Sequence, residues 1–299
     1  MIKGAYIRSA AIHMSLSIFF KSHSIVNSVL FPSGTPRRYG LSANPTSPHN
    51  SVDILSTLEA GFNFPCLFAE CPSSGRVMLY MHGNATNLFE DEKRLEHYAA
   101  EVGLNVMAPE YPGYGPAQGR STEDSIDKNA AAALRWILDK GFIPQDIILY
   151  GCSIGSGAAV KLAAELCIKG TPPGALILQS AYTSINDAVQ SMMGPYASLL
   201  LLPRWRSLDR IRVITCPTLF IHGEYDLTIP PEHSAMLYSA SPAGFKQVVL
   251  LPADHNSLEH FRIVYHIKDF LGKSLGNCVA LNSKPLPHGS YGLTTGQHG

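Results

Sequence analysis

Residues 151 to 155 read Gly-Cys-Ser-Ile-Gly, a G-x-S-x-G pentapeptide set between the apolar run Ile147-Ile148-Leu149-Tyr150 and an Ala-rich stretch from Ala158 to Leu166. A strand followed at once by a helix around this pentapeptide predicts a sharp turn, with a strained central residue whose hydroxyl projects from the sheet edge. Ser153 is therefore the candidate nucleophile. The same residues would also suit a small-residue turn with Ser153 as a helix cap, but that reading predicts nothing further along the chain. A serine nucleophile does, because its hydroxyl needs a base to take the proton and a carboxylate to orient that base. Thr218-Leu219-Phe220-Ile221 is followed by His222-Gly223-Glu224-Tyr225-Asp226, and Gln247 to Leu251 by Pro252-Ala253-Asp254-His255-Asn256. Two successive post-strand loops thus supply Asp226 as the acid and His255 as the base. Glu224 ranks second as the acid. Asp254 adjoins the histidine and is poorly placed to reach its Nδ1, so it is expected to hold the loop.

Acyl-transfer chemistry also needs two N–H groups aimed at the charge that develops on the reacting carbonyl oxygen. One is expected from Ile154, next to the nucleophile. The other is expected from Asn84, in the loop His82-Gly83-Asn84-Ala85-Thr86-Asn87 that follows the strand Arg76 to Met81. His82 has no second histidine or cysteine at metal-ligand spacing and reads as a buried histidine that keeps this loop in place. No metal and no cofactor is expected. Neither a G-x-x-x-x-G-K-[ST] phosphate loop nor a G-x-G-x-x-G fingerprint is present.

The elements that must position these residues alternate as an α/β sheet requires. Strands are expected at Phe62 to Ala69, Arg76 to Met81, Asn105 to Ala108, Ile147 to Tyr150, Ala175 to Leu178, Thr218 to Ile221 and Gln247 to Leu251. Their continuous apolar runs suit parallel strands covered on both faces. Ser121-Thr122-Glu123-Asp124 carries the capping residues of a helix that Lys140-Gly141 stops. Residues 1–52 read as a basic segment and linker, 53–271 as the catalytic domain with a small cap at about 183–215, and 272–299 as a disordered tail. In the cap, Met192, Met193, Tyr196, Leu199 to Leu202 and Trp205 either line an acyl-chain groove or close the core as an amphipathic helix. Arg204, Arg206, Arg210 and Arg212 are expected to form a solvated edge.

The chain order Ser153, Asp226, His255 is similar to that of the serine hydrolases of the α/β-hydrolase fold. The stretches Pro65 to Pro72, His82 to Ala85, Tyr111-Pro112-Gly113-Tyr114-Gly115, Tyr150 to Gly155, Leu178 to Ser184 and His222 to Asp226 resemble the serine aminopeptidase-like group. Within it they resemble the α/β-hydrolase domain-containing protein 17 depalmitoylases. The resemblance implies a mostly parallel sheet with helices on both faces and a small cap. It also implies hydrolysis of long-chain acyl thioesters on protein cysteines, with Ser153, Asp226 and His255 as the triad. The elements His-Gly-Asn-Ala and Tyr-x-Gly-Tyr-Gly are shared with lysophospholipases and Bem46-like hydrolases. A lysophospholipase, a short-chain carboxylesterase, an aminopeptidase and an inactive binding module of the same fold therefore stay open. Members of the depalmitoylase family begin with an acylated cysteine cluster, whereas this chain has no cysteine before Cys66.

Charge narrows the partners. The 299 residues balance 23 Lys and Arg against 23 Asp and Glu, yet residues 1–52 hold five basic residues and no acid. The catalytic portion is consequently acidic, which argues against nucleic acid and leaves an acylated protein or lipid as the expected substrate. Met1 to Phe20 is too short and too polar to span a bilayer. It reads as a weak secretory signal, an organelle-targeting peptide or an interfacial helix giving peripheral membrane contact, with the interfacial or targeting readings preferred. Six cysteines without a C-x-x-C pair suit a reducing, cytoplasmic setting.

Overall fold

A computed structural model describes residues 50–56, 63–84, 86–194 and 204–276. Its strands are β1 (Asn50–Ser56), β2 (Asn63–Ala69), β3 (Val77–Met81), β4 (Asn105–Pro109), β5 (Ile147–Cys152), β6 (Ala175–Gln179), β7 (Thr218–Gly223) and β8 (Lys246–Leu251). Its helices are α1 (Leu88–Tyr98), α2 (Glu123–Asp139), α3 (Gly155–Ile168), α4 (Ile185–Met193), the single turn α5 (Ser207–Arg210), α6 (Glu232–Ala240) and α7 (His260–Leu275). The strands form one sheet in the order β1-β2-β4-β3-β5-β6-β7-β8. Pairing is antiparallel from β1 through β2 to β4 and parallel across the remaining six strands.

The α/β architecture expected from the alternating pattern is present, and all seven expected strands occur within two residues of their predicted ends. Every residue of β3, β4, β6 and β7 is buried, as strands covered on both faces demand. At the sheet margin, β8 instead alternates between buried and more exposed positions. Two apolar clusters flank the sheet. One joins α2, α3 and α4 through residues such as Ile126, Ala159 and Val189, and the other joins α1 and α7 through Leu95, Tyr98, Ile263 and Phe270. Each fully buried aliphatic side chain contributes about 1.5–3 kcal/mol relative to exposure, so the sheet's covered centre is the main source of stability.

Two boundaries differ from the sequence expectation, and for Trp205 the core-closing alternative holds. β1 was not anticipated, and because it begins at Asn50 the sheet reaches into the segment 1–52 assigned to the linker. α7 continues through Leu275, past residue 272 where the tail was expected to begin, and buries Phe270 and Leu271. Trp205, grouped with the cap, belongs to the core: it is 1% exposed, its Nε1–H donates to Asp127 Oδ1 at 2.8 Å, and its ring lies against Gly157 of α3. The readings of Met1 to Phe20, of the linker at 32–50 except its last residue, of the cap residues Tyr196 and Leu199 to Leu202, and of the tail from residue 277 lie outside the described residues.

Candidate active site

Ser153 closes the turn between β5 and α3 with φ at +49°, a left-handed conformation that costs a side-chain-bearing residue energy and is sustained by its surroundings. Its N–H donates to Gln179 O at 2.8 Å, tying the turn to the end of β6. The glycines on either side are required by close approach. A Cβ on Gly151 would lie 2.5 Å from Ser156 Cα, and one on Gly155 would collide with the Met81 carbonyl of β3. The neighbouring Cys152 is no rival nucleophile, because burial pushes its thiol up to about 12.

The two other expected residues converge on this serine. Ser153 Oγ stands 3.2 Å from His255 Nε2, and His255 Nδ1 stands 2.6 Å from Asp226 Oδ2. Asp226 is 1% exposed and accepts from the amides of Thr228 at 2.9 Å and Ile229 at 2.8 Å through its other oxygen. Burial alone would raise this carboxyl. Hydrogen bonds from His222, His255 and the Ile229 amide outweigh that and hold it well below the usual carboxylate range. Asp254 instead accepts from the amides of Asn256 and Ser257, at 2.9 Å each, and shapes the loop around His255 as expected. Glu224 is exposed and takes no part in this relay.

Sequence reasoning missed His222. Its ring is fully buried, with Nε2 2.7 Å from the carbonyl of Ile229 and 3.3 Å from Asp226 Oδ2, and Nδ1 2.7 Å from Ser234 Oγ. A carbonyl only accepts, so the proton sits on Nε2 and Ser234 donates to Nδ1. The histidine thereby braces the loop that carries Asp226. Its place four residues before the acid was visible in the sequence, but nothing there marked it as a partner.

The His-Gly-Asn loop is held from below. His82 is buried, its Nδ1–H donates to Gly83 O at 2.8 Å, its Nε2 lies 3.1 Å from Glu110 Oε1, and its ring stacks on Tyr111 at 3.9 Å. Tyr111 donates to His82 O at 2.9 Å and Tyr114 to Asn84 Oδ1 at 2.5 Å. The Tyr-Pro-Gly-Tyr-Gly element thus fixes the loop that carries Asn84. Asn84, Ser153, Ile154 and His255 all border one cavity of about 530 Å³. On one side α4 contributes Ile185, Ala188, Val189, Met192 and Met193; on the other stand Arg94 and Tyr98 of α1 and His260 and Ile263 of α7. Of the four arginines expected to form a solvated edge, Arg206, paired with Asp209 at 2.7 Å, and Arg212 are exposed, whereas Arg204 and Arg210 are half-buried and Arg210 Nη1 is buried.

Residues 68–229 match the family model described as Chlamydia CHLPS protein (DUF818). Alpha/beta hydrolase domain-containing protein 17C of Mus musculus is 30% identical over 234 residues, which cover 76% of this chain and 70% of that protein. The chain belongs to the α/β-hydrolase family. Lysophosphatidylserine lipase ABHD12 of Danio rerio is 31% identical over 183 residues, 56% of this chain and 47% of the relative, so this α/β-hydrolase spans about half of that relative's length. Solved structures of the same fold include an α/β-hydrolase of Vibrio vulnificus, with a TM-score of 0.71, 17% identity and coverage of 84% of this chain and 92% of that one. An esterase of Pyrococcus furiosus gives 0.66 and 16%, covering 81% and 98%. Among the described residues of this α/β-hydrolase, no cluster of ligating side chains suits a metal ion and no helix is long and apolar enough to cross a membrane.

Proposed function

We propose that this α/β-hydrolase cleaves long-chain acyl thioesters and esters through an acyl-enzyme on Ser153. The observation that carries the reading is the continuous relay Ser153–His255–Asp226, opening on a cavity with one apolar wall. His255 Nε2 takes the serine proton as Oγ attacks the acyl carbonyl. The N–H groups of Ile154 and Asn84 hold the oxyanion, and the imidazolium, steadied by Asp226, protonates the leaving sulfur or oxygen. His255 then takes a proton from water as the water oxygen attacks the acyl carbon; the bond from that carbon to Ser153 Oγ breaks, His255 returns the proton to Oγ, and the fatty acid leaves. The apolar side chains of α4 suit the acyl chain. Acyl-protein thioesters are the substrate implied by the resemblance to the domain-containing protein 17 group, and monoacyl phospholipids fit the same acyl wall.

Fluorophosphonate labelling competed with palmitoyl thioesters and with lysophospholipids tests the assignment. Ser153→Ala is expected to abolish labelling and lower turnover by about 10⁴-fold or more, because triad members act as a unit. Undiminished labelling of Ser153→Ala would place the nucleophile elsewhere.

A further inference from the structure

Away from the cavity, two thiols meet at the far end of the helix that follows the nucleophile. Cys167 lies in the last turn of α3, and Cys216 lies two residues before β7. Cys216 is 3% exposed within the apolar cluster on the α3 side of the sheet, whereas Cys167 is half-buried against that cluster. Four donors converge on Cys167 Sγ: the thiol of Cys216, the hydroxyl of Thr215 at 3.8 Å, and the backbone N–H groups of Thr215 and Cys216. A neutral thiol accepts hydrogen bonds only weakly, so this set of donors favours the thiolate. The hydrogen bond from Cys216, with those from Thr215 and the Cys216 backbone, outweighs burial and brings Cys167 down to about 5. The same bond to Cys167, together with burial, pushes Cys216 up and keeps its proton in place.

The two sulfurs divide the roles that peroxide chemistry requires. An accessible thiolate is the nucleophile, and a second thiol beside it can capture the oxidised sulfur before further oxidation. Cys167 offers the first and Cys216 the second. Neither takes part in the Ser153 relay, because α3 begins at Gly155 and a rise of 1.5 Å per residue sets Cys167 roughly 20 Å from that turn. Cys66 and Cys152 do not compete: the first is buried, and burial holds the second up at about 12.

We propose that Cys167 and Cys216 form a peroxide-reactive dithiol site, in which Cys167 attacks a hydroperoxide and Cys216 resolves the product into a disulfide that ties α3 to the start of β7. With hydrogen peroxide, Cys167 Sγ gives two electrons to the nearer oxygen; an S–O bond forms, the O–O bond breaks, and the departing hydroxide takes a proton to become water. Cys216 Sγ then attacks the sulfenic sulfur of Cys167. The S–S bond forms, the S–O bond breaks, and the hydroxyl leaves as water with the Cys216 proton, so that two thiols are oxidised by two electrons and one peroxide is reduced. Thiols already in hydrogen-bond contact need little movement to bond. The closed ring, residues 167–216, contains β6, α4 and α5, and closing it restricts the unfolded chain. The site is independent of the acyl-hydrolase reading.

The test treats the full chain at pH 7 with a slight molar excess of hydrogen peroxide, blocks the remaining thiols with iodoacetamide and maps the peptides without reduction. The expected product is a peptide pair joined through Cys167 and Cys216, accompanied by a rise in thermal midpoint of roughly 5–15 °C that dithiothreitol reverses. Cys71→Ser/Cys278→Ser should form the same bridge. Cys216→Ala, which keeps a small apolar side chain in the core, should leave Cys167 as a sulfenic acid that dimedone traps, and Cys167→Ser should give neither bridge nor adduct at either position. In the reduced wild type, alkylation of Cys167 should be nearly independent of pH from about 6.5 to 8. A rate that climbs about tenfold per pH unit over that range would mark an ordinary thiol and overturn the nucleophile's role. So would dimedone capture at Cys71 ahead of Cys167. Peroxide that oxidises Cys167 without joining it to Cys216 removes the resolving role, and a bridge that leaves the thermal midpoint where it was refutes the ring closure. Should Cys216→Ala unfold, the wild-type peptide map and the alkylation profile decide.

Discussion

Replacing Asp226 by asparagine tests the relay at the point where its geometry is most constrained. The carboxylate faces four donors: the amides of Thr228 and Ile229 on one oxygen, and His255 Nδ1 and His222 Nε2 on the other. Asparagine offers one acceptor and one donor group. If its NH₂ faced the amides, two buried N–H groups would lose their acceptor at about 1–3 kcal/mol each. If its oxygen keeps the amides, the NH₂ faces the histidines. His222 cannot give up its Nε2 proton without losing Ile229 O, but His255 can move its proton from Nδ1 to Nε2. The second arrangement is the cheaper one, and it leaves Nε2–H pointing at Ser153 Oγ, unable to accept the serine proton. The expected loss in kcat is about 10⁴-fold, as for other triads trapped in this tautomer, or about 5 kcal/mol of barrier. Turnover of a soluble short-chain ester, with thermal unfolding to verify the fold, measures it beside Asp254→Asn and Glu224→Gln. A folded Asp226→Asn that kept more than about a tenth of wild-type kcat would refute the tautomer argument, and a severe loss in Glu224→Gln would move the acid to that residue.

The depressed titration of Asp226 also fixes a pH dependence. Its folded-state value lies below the unfolded value of about 3.9, so its contribution to stability is complete above about pH 4 and disappears as pH falls through the folded value. Urea unfolding at pH 7 and pH 3 should therefore show a steeper acid loss for the wild type than for Asp226→Asn; parallel curves would contradict it. Gly155→Ala should lower stability by about 1–3 kcal/mol and slow fluorophosphonate labelling, since the new methyl collides with the Met81 carbonyl and must push α3 away from β3. A variant as stable and as quickly labelled as the wild type would show that the turn has room the structure does not give it.

Most of the catalytic constellation was local in the sequence. The turn at Gly151 to Gly155 is announced by its own glycines and by the strand and helix on either side. Asp226 and His255 follow their strands in the order a parallel sheet needs to bring successive loops to one edge. The helix cap at Thr122 was legible for the same reason: its hydroxyl and Ser125 bond the backbone within three residues. β1 was not legible, because an edge strand is recognised by its pairing with β2 and not by a run of its own. Trp205 looked like a cap residue because sequence shows apolarity but not the carboxylate of Asp127, 78 positions away, that receives its N–H. The same holds for His222 as a brace and for Arg94 and His260 as one wall. Residue type fixes what a side chain can do, and strand order decides which side chains meet. Sequence therefore determined the candidate nucleophile, base and acid and the α/β alternation that carries them. The apolar cap residues read in the sequence as either a groove for an acyl chain or a cover for the core; only the tertiary structure set α4 from one face of the sheet opposite Arg94, Tyr98 and Ile263 from the other, because those contacts join segments with no periodicity or spacing in common.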